Sequence, residues 1–374
     1  MTDCSDFVIE EVLQRVSSSA GELTTREAEC LLAAPAEMDS LICRTADELN
    51  QRYAGDQVTY VLNATVLYTD ICLNDCHICA FHRRMGDPRG FALTLADVLE
   101  EVRRHPEVTD FCLTGGLNPR MSFDYLLKMV ETILTERPEV HVQALSPTEL
   151  VHFSAREGRS LKSILKDLQA AGVSSISGNS AEILVDRTRG EICPRKIDTH
   201  CWCGVMAEAH AMGLPSGATM LFGHIETDGD IAEHLETVRQ LQKRTGGFVE
   251  FVPIRFIPGD TRLARRHGLD GPVGIDRILR IAAVSRLFFA EVLPNISLSW
   301  ATLGTAEIRH SLGSGINDLG GISRRRETRP AIPSSPPQEV SEEKIRELIR
   351  SAGKIPCRRD SLYRSPTAEP QPRR

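Results

Sequence analysis

From Val58 to about Gly321 the chain alternates short apolar, β-branched runs with amphipathic helical stretches, the pattern of repeated βα units around a parallel sheet. Strand-like runs fall at 58–68, 109–114, 141–145, 174–177, 216–222, 248–256, 296–302 and 316–319. Helices are expected between them. Thr94-Leu-Ala-Asp97 has capping-box spacing ahead of Leu95, Val98, Leu99 and Val102, which share one helical face. Further helices are predicted over 123–135, through Leu161, Ile164, Leu165 and Leu168 to a stop at Gly172, and over 199–212, 231–245 and 275–291. Eight parallel strands close most economically into an α/β barrel of the (β/α)8 TIM type, with an open six-strand sheet as the alternative.

At 374 residues the chain has room for one such barrel plus extensions. Residues 1–55 read as a helical N-terminal extension, with an apolar stripe through Phe7, Val8, Val12 and Val16 and a capping box at Thr24-Thr-Arg-Glu27. Residues 56–321 form the barrel core. Residues 322–374 read as a linker rich in Arg and Pro (Arg324 to Pro337), a short helix over 341–352 and a partly mobile tail.

In such barrels chemistry sits on the loops that follow the strands. The loop after the first strand is Tyr68-Thr-Asp-Ile-Cys72-Leu-Asn-Asp-Cys76-His-Ile-Cys79-Ala-Phe81. Three thiolates at this spacing can ligate three irons of a [4Fe–4S] cluster, which normally takes four, so one iron stays open to a small molecule. The same triplet could instead build a structural zinc knuckle with His77 or His82 as fourth ligand. Later strand ends are also polar or glycine-rich: Gly115-Gly116, Ser146-Pro-Thr-Glu149, Ser177 to Glu182, Gly223-His224-Ile-Glu226, and Arg255. A double glycine admits close backbone approach to a ligand, or is an ordinary turn. Glu182 reads as a hydrogen-bond acceptor for a ligand or as a helix-start carboxylate. His224 and Glu226 read as proton-transfer or substrate-binding groups, and Arg255 as a fork for a carboxylate or as half of an internal ion pair.

A formal charge of −7 argues against nucleic acid or an anionic membrane as partner, and no apolar run approaches ~18 residues. A cytoplasmic protein is expected, with its eleven cysteines reduced or metal-bound. Cys201 and Cys203 lie i, i+2 on a predicted helix and do not face each other, so they are read as core or surface thiols.

The chain resembles a branch of the radical S-adenosylmethionine (SAM) enzymes that contains aminofutalosine synthase, dehypoxanthine futalosine cyclase and the tyrosine-using subunit of deazaflavin synthase. The resemblance is carried by Asp70 to Arg83, Thr114 to Pro119, Ala144 to Glu149, Ser180 to Ile183, Ala218 to Thr227, Thr245 to Pro253, Ser299 to Gly304 and Arg359 to Tyr363. Within the branch, Gly190 to Lys196, the Gly-His-Ile-Glu-Thr segment and Phe256 to Thr261 are most similar to aminofutalosine synthase. Gly315-Ile-Asn-Asp-Leu-Gly-Gly321 is closer to the other two. The resemblance implies Cys72, Cys76 and Cys79 on the cluster, Phe81, Gly115, Gly116 and Glu182 toward SAM, and His224, Glu226 and Arg255 toward a small-molecule substrate. It further implies an electron donor such as flavodoxin or ferredoxin, and cleavage of SAM to a 5′-deoxyadenosyl radical. In the synthase that radical adds to 3-[(1-carboxyvinyl)oxy]benzoate on the futalosine route to menaquinone.

Overall fold

The computed structural model describes residues 7–18, 21–300, 303, 305–322, 340–364 and 367–368. The expected linker through Arg324 and Pro337 lies outside them. Three helices come first: α1 (Ile9–Ser17), α2 (Thr25–Leu32) and α3 (Asp39–Ala54). The βα series then begins with β1 (Gln57–Leu67), α4 (Leu95–Arg104), β2 (Asp110–Thr114) and α5 (Phe123–Glu136). It continues with β3 (His141–Ala144), α6 (Pro147–Glu157), α7 (Leu161–Ala170), β4 (Ser175–Ile176), α8 (Asp186–Ile192) and α9 (Thr199–Ala211). Next come β5 (Ser216–Phe222), α10 (Asp228–Thr245), β6 (Phe248–Arg255), α11 (Arg262–His267), α12 (Ile275–Phe289) and α13 (Thr305–Ser311). The chain finishes with β7 (Asp318–Ile322), α14 (Glu342–Ser351), β8 (Ile355–Arg358) and β9 (Thr367–Ala368).

Neighbours from β1 to β6 pair in sequence order and in parallel, and β1 also takes β7 and β8 as parallel partners. Of the predicted strand over 296–302, residues 301 and 302 lie outside the described residues, and the rest shows two parallel bridges, Phe251 with Ile296 and Ser297 with Asp318. Those bridges lead from β6 to β7 and back to β1, which gives the barrel-type fold. Local sequence signals set several ends. Thr24 with Glu27 and Thr94 with Asp97 form the expected capping boxes, and Gly172 after α7 takes a positive φ of 95°. The helices α6, α8, α11 and α13 and the strands β8 and β9 were not foreseen.

The two faces of the sheet differ sharply. Phe111, Leu113, Val142, Ala144, Ala218 and Met220 are 0 % exposed and pack under the helices. The alternate residues Cys112, Thr114, Gln143, Thr219 and Leu221 are half-buried, and Thr65 is exposed. Both edges of β2, β3 and β5 are paired, so their half-exposed side chains face a hollow lumen.

The lower end of that lumen is crossed by residues 359–363. Arg359 donates from Nε to Asp318 (2.5 Å) and from Nη2 to Glu250 (3.0 Å), and the Tyr363 hydroxyl donates to Glu250 (2.7 Å). Ser361 N–H donates to Asp110 at the start of β2 (3.0 Å). Burial and the neighbouring Asp318 push the Glu250 carboxyl up, although Arg359 opposes them. Arg359 holds Asp318 low against its own burial.

The outer face should therefore carry the stability. Phe111→Ala is expected to cost about 3–5 kcal/mol, whereas Gln143→Ala on the inner face should change stability by no more than about 0.5 kcal/mol. Denaturant unfolding of the two variants measures the contrast.

Candidate active site

The cysteine loop leaves β1 at Tyr68 and is closed at its base. Leu93 N–H returns to the Tyr68 carbonyl (2.8 Å), Arg83 N–H to the Asp70 carbonyl (2.9 Å) and Cys72 N–H to the Arg83 carbonyl (3.0 Å). The Asp70 carboxylate accepts Phe91 N–H (2.8 Å). Three contacts pin the loop to other strand exits: Leu73 N–H to Leu117 O (3.0 Å), His77 N–H to Ile192 O (2.8 Å) and Leu263 N–H to His77 O (2.9 Å). Electrostatic contact links Cys79 with Cys72 and Cys76 with Cys79. Burial pushes the Cys76 thiol up to about 12 and raises Cys79, whose residue is nonetheless exposed at the surface.

Three thiols from one pinned loop fit the donor set of an iron–sulfur cluster. Among the described residues no three His, Cys, Asp or Glu side chains are grouped to hold a single metal ion. A four-iron cube holds its thiolates further apart than one zinc ion does. Cys30 is disulfide-bonded, contrary to the expectation of reduced or metal-bound cysteines throughout, and the other described cysteines are free. Cys201 and Cys203 pack against different hydrophobic clusters, as residues two apart on a helix must.

Beside the loop, the double glycine is required by packing. A Cβ at Gly115 would lie 2.6 Å from the Tyr68 ring, and one at Gly116 would lie 2.4 Å from the Ile71 carbonyl oxygen. Gly116 N–H also donates to Thr69 O (2.9 Å). Glu149, at the third position of α6, accepts from Tyr68 Oη (2.6 Å), Gly115 N (2.9 Å), Ser146 N (2.7 Å), Ser146 Oγ (2.5 Å) and Thr114 Oγ1 (3.4 Å). Burial raises this carboxyl and the donors pull it back only in part.

Glu182 adopts a positive φ of 47° and forms a half-buried ion pair with Lys196. Burial raises the carboxyl, but Lys196, Arg189 and His224 together hold it below its usual range. Lys196 in turn lies within electrostatic reach of Cys76 and Cys193, and burial pushes the Cys193 thiol up to about 11. Neither Lys196 nor Cys193 was singled out from the sequence.

His224 and Glu226 are brought together but look inward to the turn after β5. His224 Nδ1 lies 2.7 Å from Ile225 N and 3.0 Å from the Glu226 carboxylate, and Nε2 lies 3.1 Å from Leu221 O. Burial lowers the imidazole against the pull of Glu226. Glu226 accepts the N–H groups of Gly223 (2.6 Å) and His224 (2.8 Å). Arg255 lies at the end of β6 against Val273 O (3.3 Å) and Glu307 (3.4 Å). Phe81 is exposed on the cysteine loop.

Residues 66–238 match the Radical SAM superfamily, and residues 245–371 match the CofH/MqnC C-terminal region. A 5-amino-6-(D-ribitylamino)uracil–L-tyrosine 4-hydroxyphenyl transferase of Methanopyrus kandleri is 34% identical over 97% of this chain and 98% of its own length. The chain belongs to this radical SAM family. A transferase of the same name from Methanosarcina mazei is 36% identical over 95% of this chain and 93% of its own length. In fold, the chain is similar to the FeFe-hydrogenase maturase HydG of Carboxydothermus hydrogenoformans, with a TM-score of 0.74, 17% identity and coverage of 96% of this chain and 81% of that one. It is also similar to methylornithine synthase PylB, with a TM-score of 0.69, 15% identity and coverage of 92% and 97%. It is a radical SAM enzyme, and its cofactors are a [4Fe–4S] cluster and SAM.

These relatives overturn the expectation of an aminofutalosine synthase in menaquinone biosynthesis, and with it the addition to 3-[(1-carboxyvinyl)oxy]benzoate. The segments that suggested that enzyme contribute structural contacts here, and Gly190 to Lys196 also supplies the Lys196 partner of Glu182. Ile192 anchors the cysteine loop, Glu226 ties the β5 turn and Thr261 caps α11. The segment that pointed the other way is equally structural. Asn317 Oδ1 accepts from Arg286 (2.8 Å) and Ile296 N (2.9 Å) while its Nδ2 donates to Asn295 (3.0 Å), a donor-and-acceptor role that an ionised aspartate cannot fill.

Glu149 belongs to a strand exit marked as polar in the sequence, Ser146-Pro-Thr-Glu149, but the sequence reading gives its carboxylate no role. Its signal was present, since Ser146-x-x-Glu149 has the same capping-box spacing as Thr94-x-x-Asp97. Glu149→Leu strands the buried donors of Tyr68, Gly115 and Ser146. At about 1–3 kcal/mol for each unsatisfied group, the variant should lose several kcal/mol in urea titration, and Glu149→Gln should lose less.

Proposed function

We propose that this enzyme transfers the 4-hydroxyphenyl group of L-tyrosine to 5-amino-6-(D-ribitylamino)uracil, as the tyrosine-using subunit of deazaflavin synthesis. The reading is carried by the match to a relative of that name along 97% of this chain. Cys72, Cys76 and Cys79 hold the cluster, while Gly115, Gly116, Glu182 and Phe81 line the place of SAM. When bound, cluster and SAM supply radical chemistry started by a single electron. Around them the protein orients its substrates and excludes water. Arg255 is the cation at the strand exits that can exchange Glu307 for a substrate carboxylate. His224 and Glu226 support the β5 turn on which that substrate rests, since they contact each other and the backbone of that turn.

The electron comes from a donor such as flavodoxin or ferredoxin, and the enzyme works in the cytoplasm. No helix among the described residues is long and apolar enough to cross a membrane. Leu73, Phe81 and Met85 are exposed apolar side chains of the cysteine loop, and Arg84 and Arg262 accompany them through Asp75. An apolar patch with basic neighbours suits an acidic carrier protein.

The reconstituted, reduced enzyme should convert L-tyrosine and the ribitylaminouracil, with SAM, to a conjugate visible by mass spectrometry. Turnover of dehypoxanthine futalosine in place of tyrosine would sink the proposal. Cys72→Ala, Cys76→Ala and Cys79→Ala should each abolish the brown cluster absorbance and lower bound iron and sulfide after anaerobic reconstitution.

A further inference from the structure

Halfway up the lumen, β1, β2 and β3 place Thr65, Cys112 and Gln143 side by side: Thr65 is registered with Cys112, and Cys112 with Gln143. Asn63 shares the inner face of β1, two residues below Thr65. All four are half-buried or exposed, although they belong to the middle of the sheet. The residues alternating with them, Ala64, Val66, Phe111, Leu113, Val142 and Ala144, are at most 1 % exposed. Exposure confined to the inner face means a cavity wide enough for solvent or a ligand.

The polar groups on this wall are available. Neither the Thr65 hydroxyl nor the Asn63 or Gln143 carboxamide makes a hydrogen bond with any described residue, whereas Thr219 across the lumen is spent on the Gly178 carbonyl (3.0 Å). The wall is also uncharged. Below it, Asp110, Asp318, Glu250 and Arg359 are committed to one another or to the crossing segment. Above it, the ionic groups at the strand exits are the Glu182–Lys196 and Arg255–Glu307 pairs, the His224–Glu226 contact, and the buried Glu149, which is committed to Tyr68, Gly115 and Ser146.

The two substrates of the proposed reaction differ in the same respect. An amino acid carries an ammonium and a carboxylate, which need countercharges. A pyrimidinedione with a ribityl chain is neutral and offers carbonyl, N–H and hydroxyl groups. A carboxamide presents a donor and an acceptor side by side, matched to an amide edge, and a threonine hydroxyl can do either for a polyol.

We propose that Gln143, Thr65 and Asn63 form the subsite for the neutral pyrimidine and its ribityl chain, leaving the amino acid to the charged groups at the strand exits. This assignment rests on the transferase reading and adds which wall takes which substrate. The uncharged wall rejects the zwitterion because burying an ammonium or carboxylate there finds no partner. Loss of one hydrogen-bonding group should weaken the pyrimidine alone.

The test is equilibrium binding of 5-amino-6-(D-ribitylamino)uracil and, separately, of L-tyrosine to the SAM-loaded holoenzyme, for wild type, Gln143→Leu and Thr65→Val. Each variant should bind the pyrimidine about tenfold more weakly, the equivalent of ~1.4 kcal/mol, with tyrosine affinity unchanged. The tyrosine measurement doubles as the check that a variant is folded, and the near-isosteric Thr65→Val reads the same wall from a different strand. Pyrimidine affinity unchanged in both variants, or tyrosine affinity falling in parallel, overturns the subsite while the transferase reading stands. A wild-type enzyme that binds no pyrimidine removes both.

Discussion

The carboxylate of Glu149 joins the exits of three adjacent strands, and much of the upper barrel depends on that junction. It accepts from Tyr68 at the end of β1, from Thr114 and Gly115 at the end of β2, and from Ser146 after β3. In a buried surround such a network is worth more than its separate bonds, and losing its centre leaves several donors dry. The consequences reach the cysteines. Tyr68 is held where its ring covers Gly115, Gly116 sits against the Ile71 carbonyl, and Cys72 begins the loop one residue later.

The opposite end is closed by a second ionic junction, made from a distant part of the chain. Arg359 and Tyr363 reach Asp318 and Glu250, and Arg359 lies over the Tyr363 ring with 3.9 Å between guanidinium carbon and ring centroid. A buried pair of this kind is weak evidence for stability, because desolvation offsets most of the attraction. Its geometric effect is clearer. With the floor crossed and the cysteine loop above, the lumen between is a compartment in which polar side chains face inward and apolar ones outward. That inverts the packed interior usual for such barrels, and it suits chemistry that must keep water and stray reactants away.

The sequence was most legible where a signal is local. Capping boxes at Thr24 and Thr94, the βα alternation and the cysteine spacing all depend on residues a few positions apart, so reading them needs no knowledge of the fold. Over 296–300 no regular strand forms, because among these described residues only Ile296 and Ser297 find partners in bridges, a matter of tertiary register. β8 was missed because Ile355-Pro-Cys-Arg358 is short and carries a proline, yet β1 is long enough to pair with it below the point where β2 begins. His224 and Glu226 were legible by spacing as neighbours on one side of a strand exit, and the structure brings them into contact with each other and with the backbone of their turn.

By itself, then, the sequence determined a barrel of βα units and a thiol triplet on the first strand exit, since periodicity and ligand spacing are encoded within single segments, and its resemblance to the radical SAM enzymes implied the type of chemistry. Short segments such as Gly190 to Lys196 and Gly315 to Gly321 pointed to different members of the branch, and the relatives matched along nearly the whole chain point to the tyrosine-using one. Only the tertiary structure decided that Glu149 binds three strand exits, that residues 359–363 cross the floor, and that Gln143 and Thr65 face a hollow interior. Each of those facts concerns side chains far apart in the chain, and their meeting depends on strand register and barrel closure, which no local pattern specifies.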